Sequence, residues 1–467
     1  VSRLLSRFGP LVLIYVLIAH VFPPPAGVKL EAWRLFGVFA ATVAGLILQP
    51  MPGGAMVLLG VVSSAVVGGL PIQSALAGYA DPMVWLVLTA FLISRALLNT
   101  GLARRIALLF VRGFGKTSVG ITYALAATDA VLAAIIPSNG ARSGGVTLPI
   151  ARSIAELYGS RPGETSRRLG AFLMVAVYQS ICMTAAMFFT GQASNPVAAR
   201  IAGENGFPIT WGSWFLAGSV PGVVSLAVIP LVVMRLFPPE IKETPEAAAF
   251  AAEELEKMGG MSRAEKILAA VFVGVCGGWA TAGLHGLDLT VTALLGASAL
   301  LLTGVLTWED VKTEKTAWDM FVWYGGLVRL GKALNDGGVM KVFAESIGGW
   351  FADMTWPVMF GAALLIYFYA HYAYASITAH LLAMYPPFLA VLILKGAPVG
   401  LVAFAFACFV NFSAGLTNYG TTPAPMYFAQ EYVRMSDWFR VAAVVSVGNL
   451  LIWSTVGFGW WKLLGIW

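Results

Sequence analysis

Four short stretches of this chain place polar side chains inside otherwise apolar sequence, and their residue types suit the capture of an anion. Ser138, Asn139 and Gly140 offer a hydroxyl, a carboxamide and backbone N–H groups where a half-helix would begin, a combination that holds a carboxylate at a helix N-terminus. Ser376, Ile377 and Thr378 stand in the same relation to a second apolar run. Two further stretches, Ser194-Asn195-Pro196 and Asn418-Tyr419-Gly420-Thr421-Thr422-Pro423, follow long apolar runs. Proline removes a backbone donor there and frees carbonyls upstream, which can line a site or ligate a cation. Turn capping and ordinary proline kinks are the plainer readings of the same residues. Bond-breaking chemistry lacks its parts: the histidines are His20, His285, His371 and His380, with no His-Glu-x-x-His. Asp129 reads better as a partner for nearby backbone or for Arg142 than as a catalytic acid, so no enzyme and no cofactor is expected.

The elements that must position these residues are membrane-spanning helices. Of the 467 residues, 58% are hydrophobic and 11% charged, against about a quarter charged in soluble domains. Apolar runs recur at or near the ~18 residues that a helix needs to cross a hydrocarbon core of roughly 30 Å. They are apolar on all sides, which excludes the period-two alternation of a membrane β-barrel. The net charge of +6 sits in short loops rather than along one face, so it reports topology and not a nucleic-acid partner. Cys182, Cys276 and Cys408 lie within apolar runs without metal-type spacing and read as reduced packing residues. Leu11 to Phe22 follows Arg3 and Arg7 without a cleavage-type sequence, and reads as a span and not a cleaved signal.

The two halves run through the same events in order. Asn99 matches Asn335, Ser138 matches Ser376 and Thr190 matches Thr417, at offsets of 236, 238 and 227 residues. The pattern predicts an all-α polytopic membrane protein of about eleven spans, at 11–24, 31–48, 53–70, 82–100, 169–190, 211–235, 264–284, 289–306, 318–335, 397–417 and 438–461. Residues 117–157 and 354–393 are apolar but broken near the middle, which suits re-entrant hairpins buried in protein. The expected organisation is an N-terminal helix at 1–30, a first repeat at 31–237, a cytoplasmic linker at 238–262 that reads as a short surface helix, and a second repeat at 263–467. Setting the first helix aside, each half holds five spans and a hairpin, so the repeats are inverted. Lys and Arg cluster in the loops that a cytoplasmic N-terminus puts inside, and loops 71–81 and 285–288 have none. The first hairpin then enters from the cytoplasm and the second from outside, in a bacterial inner membrane.

On these residues the chain resembles the divalent anion/sodium symporter family, close to its oxoglutarate/malate translocators and citrate, tartrate and succinate exchangers. The points of resemblance are Pro137-Ser-Asn-Gly-Ala-Arg-Ser-Gly-Gly145 with Leu148-Pro149-Ile150, Ala375-Ser-Ile-Thr-Ala-His380, and Leu416-Thr-Asn-Tyr-Gly-Thr-Thr-Pro-Ala-Pro425. The resemblance implies a homodimer whose protomers each have a fixed scaffold and a moving transport unit with two hairpins. It further implies Ser-Asn-Thr tips that bind substrate carboxylates and, in sodium-coupled members, help to hold sodium. This chain departs from that pattern with Ser-Asn-Gly at the first tip and Ser-Ile-Thr at the second, and the Ile377 side chain has no oxygen for sodium.

Arg142 and His380 each lie four residues after their tip serine, within helical reach of it. The expectation is that they supply as fixed charge what sodium supplies elsewhere in the family. A carrier that cannot shed its charge does not reorient empty, and the result is obligatory exchange. The partners implied are C4–C5 dicarboxylates such as 2-oxoglutarate, malate, succinate and tartrate, with citrate admissible in a partly protonated form. Sodium-coupled symport is the competing reading. Arg142 facing a carboxylate and His380 packing as a neutral ring are the competing roles for those two residues.

Overall fold

The computed structural model describes residues 2–339, 341–342, 345–346 and 353–467, with side chains from Ser6 onward. Among them the chain is helical apart from its turns and one isolated bridge between Thr117 and Glu243. Each anticipated span falls on a helix. In order these are Ser2–Val16, Leu30–Leu48, Gly53–Val66, Pro82–Thr100, Gly170–Met187, Trp211–Leu236, Arg263–Ala280, Leu289–Leu302, Lys315–Asp336, Val399–Ser413 and Met435–Ile452. Several carry fully apolar faces outward, with Val273, Leu295 and Leu302 among the most exposed large side chains. Such faces belong in lipid, and the chain is a multi-pass membrane protein.

Two helices form the centre. Gly170–Met187 is buried along its whole length, and it packs on Ser118–Ala133, Trp211–Leu236 and Val399–Ser413, itself almost wholly buried. Helices that are apolar all round belong in such a position. Both end at the polar stretches singled out above: Gly170–Met187 gives way to a break before Ser194–Glu204, and Val399–Ser413 to a break before Pro423–Phe428.

The two leftover stretches are helix–break–helix elements. Ser118–Ala133 leads to an irregular tip, after which Asn139–Arg142, a π-turn at Ser143–Thr147 and Leu148–Leu157 return. Trp356–Tyr369 leads through a short 3₁₀ turn to Ile377–Leu394. The expected hairpin 354–393 begins one residue past the gap in the described chain.

The linker holds the expected surface helix and is tied to its neighbours. It contains the helix Pro245–Met258, which lies on an amphipathic helix, Leu102–Phe114, that the span count did not include. Its strand-like start is hydrogen-bonded to the base of the first hairpin: Ser118 N donates to Lys242 O at 2.9 Å and Thr244 N to Lys116 O at 2.8 Å. Tyr158, just past the hairpin, donates to Glu246 Oε2 at 2.6 Å, which holds that carboxyl below the usual carboxylate range. Arg105 reaches across to the first turn of Arg263–Ala280, donating to Glu265 Oε1 and Oε2 at 2.6 and 3.2 Å and to Gly259 O at 2.9 Å.

Arg105 and Glu265 are both buried, whereas Arg104, paired with Glu254, is mostly exposed. Removing one partner of a buried pair strands the other and costs about 3–5 kcal/mol, while an exposed pair is worth about 1 kcal/mol or less. Arg105→Met should therefore lower the unfolding midpoint in detergent well beyond Arg104→Ala; equal effects would mean that the Glu265 contact carries no such weight.

Candidate functional site

The two tip serines sit alike. Ser138 and Ser376 are in extended conformation, and each accepts a hydrogen bond from the backbone N–H three residues on, Ala141 at 3.1 Å and Ala379 at 3.4 Å. The capping reading is thus met at both tips. A hydroxyl that accepts this bond still has its proton to donate, so capping and ligand binding are compatible. Ile377 is buried, while Thr378 and Asn418 are half-buried with no hydrogen-bond partner among the described residues.

The first tip is pressed against the second broken helix. Asn139 Nδ2 donates to Thr421 Oγ1 at 3.0 Å. Gly140 approaches Thr422 so closely that a Cβ there would lie 2.8 Å from Thr422 Cγ2. The carbonyls that Pro137 and the irregular turn leave free are taken up from the other side. Thr190 Oγ1 lies 3.2 and 2.6 Å from Ala133 O and Ala134 O, and Arg142 Nη1 donates to Ile136 O at 2.7 Å.

The two breaks brace one another. Asn195 Nδ2 donates to Ala185 O and Phe188 O at 2.8 and 2.9 Å, closing the end of the first central helix, while its Oδ1 accepts from Asn411 Nδ2 at 2.8 Å. Asn195 is thereby spent on holding the break, and buried Pro196 extends the same turn. Ser194 beside it is fully buried with no partner for its hydroxyl. Tyr178 and Gln179 bond the carbonyls of Ala414 and Gly415 at 2.7 and 2.9 Å, so the first central helix also supports the second break. Pro423 opens the short helix that follows.

Arg142 departs from the expectation of a free cation and meets the competing one, a facing carboxylate. It is fully buried, its Nε donates to Asp129 Oδ1 at 3.0 Å and its Nη1 to Gly191 O at 2.8 Å. Asp129 also accepts from Thr184 Oγ1. A guanidinium sealed from water must be compensated, and Asp129 does this, so the pair is neutral and offers a ligand no net charge. Its Nη2 is left without a partner.

His380 is not solitary. Its Nδ1 lies 2.8 Å from His371 Nδ1, and His371 Nε2 lies 2.9 Å from Gly420 O. A carbonyl only accepts, so His371 Nε2 carries the proton. With both rings neutral, His371 Nδ1 then accepts from His380 Nδ1–H, which leaves a bare lone pair on His380 Nε2. That atom is buried and unpartnered, and the ring is stacked on Tyr374 with centroids 4.7 Å apart. Gly420 is needed here, because a Cβ would fall 2.8 Å from His371 Nε2. His371 is the residue that sequence reasoning left out; its place before the second tip, nine residues ahead of His380, was the available signal.

Unpartnered buried polar atoms gather on these elements: Arg142 Nη2, Ser143 Oγ, Ser194 Oγ, His380 Nε2, Asn411 Oδ1 and Thr417 Oγ1. Native interiors leave few such atoms without water or ligand.

Comparison with known proteins places this arrangement in context. The family description "sodium:sulfate symporter transmembrane region" matches residues 3–467. The chain is 41% identical to a putative malate transporter, YflS, of Bacillus subtilis, covering 97% of this chain and 95% of that one. It is 40% identical to a chloroplast dicarboxylate transporter of Spinacia oleracea, covering 95% and 79%. It is 35% identical to the inner membrane protein YbhI of Escherichia coli, covering 98% and 97%. The YdaH transporter of Alcanivorax borkumensis shares the fold, at TM-score 0.55 and 14% identity over 83% of this chain and 87% of that one.

The tip geometry sets two expectations for stability. Replacing a helical glycine by alanine ordinarily stabilises by about 0.5–1 kcal/mol. Gly140→Ala should instead destabilise, by about 1–3 kcal/mol, and Thr422→Ser should restore part of the loss; a gain on Gly140→Ala would show the contact to be loose. Asp129→Asn, which strands Arg142, should cost about 3–5 kcal/mol. Arg142→Leu alone strands Asp129 and also frees the carbonyls of Ile136 and Gly191, so the double variant should lose less in thermal unfolding than the sum of the two single changes, and an additive double variant would break the coupling.

Proposed function

This chain belongs to the sodium:sulfate symporter family, also called the divalent anion/sodium symporters, and from that premise we propose that it exchanges C4–C5 dicarboxylates across a bacterial inner membrane. The observation that carries the reading is the set of unpartnered buried polar atoms on the two tips and two breaks. Hydroxyl and N–H donors predominate, and the one buried carboxylate there, Asp129, is cancelled by Arg142. An anion with oxygens at both ends suits such a set. The names of the Bacillus subtilis and Spinacia oleracea relatives point to the same substrate class.

In this proposal the hairpins and broken helices move as a unit past the remaining spans, opening the site to one side and then the other. The two halves are inverted repeats, the N-terminus is cytoplasmic and the protein works as a homodimer. Arg142 contributes a donor, Nη2, and holds the first tip through its bonds to Asp129, Ile136 and Gly191. His380 is the group that can meet a carboxylate as a cation, since a proton taken up at Nε2 converts its bare lone pair into a charged donor. Exchange follows from the empty state: each buried polar group without a partner costs about 1–3 kcal/mol, and carrying several across the apolar scaffold unsatisfied slows return without substrate. Substrate oxygens remove that cost in both directions. Sodium has no part in this cycle.

Proteoliposomes test it directly. Labelled succinate or malate should enter only when the lumen holds unlabelled dicarboxylate, and at the same rate in sodium or potassium buffers. Uptake into empty vesicles driven by a sodium gradient would replace exchange by symport. His380→Gln removes a bond to a charged group worth about 1.5–3 kcal/mol, so it should slow exchange by at least about tenfold; a wild-type rate would take His380 out of the site.

A further inference from the structure

A cavity of about 370 Å³ lies away from the tips and breaks, between Leu30–Leu48 and Lys315–Asp336 on one side and Ser194–Glu204 and Ile377–Leu394 on the other. We propose that it holds one acyl chain of an anionic phospholipid, with the phosphate at Lys332. No residue of the tip turns 138–142 and 376–380 or of the break 417–423 lines it. The lining is apolar at helical spacing: Phe36, Phe39, Val43 and Ile47 form a stripe down the first of these helices. Eleven residues separate the ends of that stripe, or about 16 Å at 1.5 Å per residue, roughly half of a ~30 Å hydrocarbon core. The cavity therefore has the depth of one lipid leaflet.

Small residues make the room. Gly331 faces the cavity, and a Cβ built on it would meet nothing within 4 Å. Ala383, opposite on the hairpin helix, is half-buried, as are Phe36 and Phe39, so the space is open along one side. The groups that could meet a dicarboxylate, Lys332 and the carboxamides of Asn205 and Asn335, are exposed, and among the described residues the buried part of the lining has no free cation. Arg200 lines it but is paired with Asp81 at 2.6 Å and Glu204 at 3.1 Å, and a dianion against an apolar wall without an unpaired cation is strongly disfavoured.

The one cation in the lining without a carboxylate among the described residues is Lys332, which is exposed. Its neighbours Ala333 and Leu334 pack with Ala32 and Leu35, which puts Lys332 at the Phe36 end of the stripe. An alkyl groove of leaflet depth with a lone ammonium at its mouth complements an acyl chain below an anionic headgroup, and a neutral headgroup would leave that charge unused.

The test uses purified full-length protein in detergent, with phosphatidylglycerol or phosphatidylcholine of identical chains added. Phosphatidylglycerol should raise the unfolding midpoint by at least about 3 °C, and phosphatidylcholine by clearly less. Lys332→Ala should abolish the difference between the two lipids. Ala383→Phe, which fills the space, should lose both shifts while unfolding near the wild-type midpoint without lipid. Gly331→Leu, filling the cavity from the opposite wall, gives the same reading if Ala383→Phe folds poorly. Equal shifts for both lipids on wild-type protein, or lipid shifts that survive both filling variants, overturn the proposal. So does a filling variant that splits a dimer in light scattering, since the groove would then seat a second copy of this chain.

Discussion

Inside a hydrocarbon layer no water is at hand to solvate a broken helix, and the site rests on one answer to that constraint, the buried Arg142–Asp129 pair. Its guanidinium does three things at once. It neutralises a carboxylate on the arm Ser118–Ala133, satisfies the carbonyl of Ile136 in the tip, and satisfies that of Gly191 in the first break. Three segments that could not otherwise leave their helices at this depth are tied through one side chain. Lysine, with a point charge on a flexible stem, could not replace that planar fork.

The rest of the site repeats the principle with neutral groups. Thr190 and Asn195 cover the carbonyls of the first hairpin and first central helix, Tyr178 and Gln179 those of the second. The histidines link the second hairpin to Gly420. Each irregular segment is thus held by an element from elsewhere in the chain, and half of the buried side-chain polar atoms left unpartnered among the described residues lie where a ligand is expected. Rigid support around a few free donors is the arrangement that favours binding without reorganisation.

Much of this was legible in the sequence, because the lipid-imposed length of a span and the rarity of polar residues within it are strong signals. Every expected span lies on a helix, and the four polar stretches sit at the two tips and two breaks. What escaped was decided by tertiary pairing. Arg142 could be read as a free cation or as the partner of Asp129, thirteen residues earlier, and only the fold, which brings the two together, decides for the pair. Asn195 looks like a ligand until Asn411 and two carbonyls are seen to occupy it. The amphipathic helix Leu102–Phe114 was hidden for the opposite reason: it is not apolar enough to register as a span, and its buried face is covered by the linker helix.

That linker also sets a mechanical limit. Its start is stitched to residues 116–118 at the foot of the first hairpin and to Arg167 and Arg168 beyond it, while its far end is clamped by Arg105 to the opening turn of Arg263–Ala280. It behaves as a short strap rather than slack rope. Should the hairpin travel toward either face of the bilayer, the strap must hinge at its glycines, Gly259 and Gly260, or peel away from Leu102–Phe114, and the length it can give fixes how far the stroke can run.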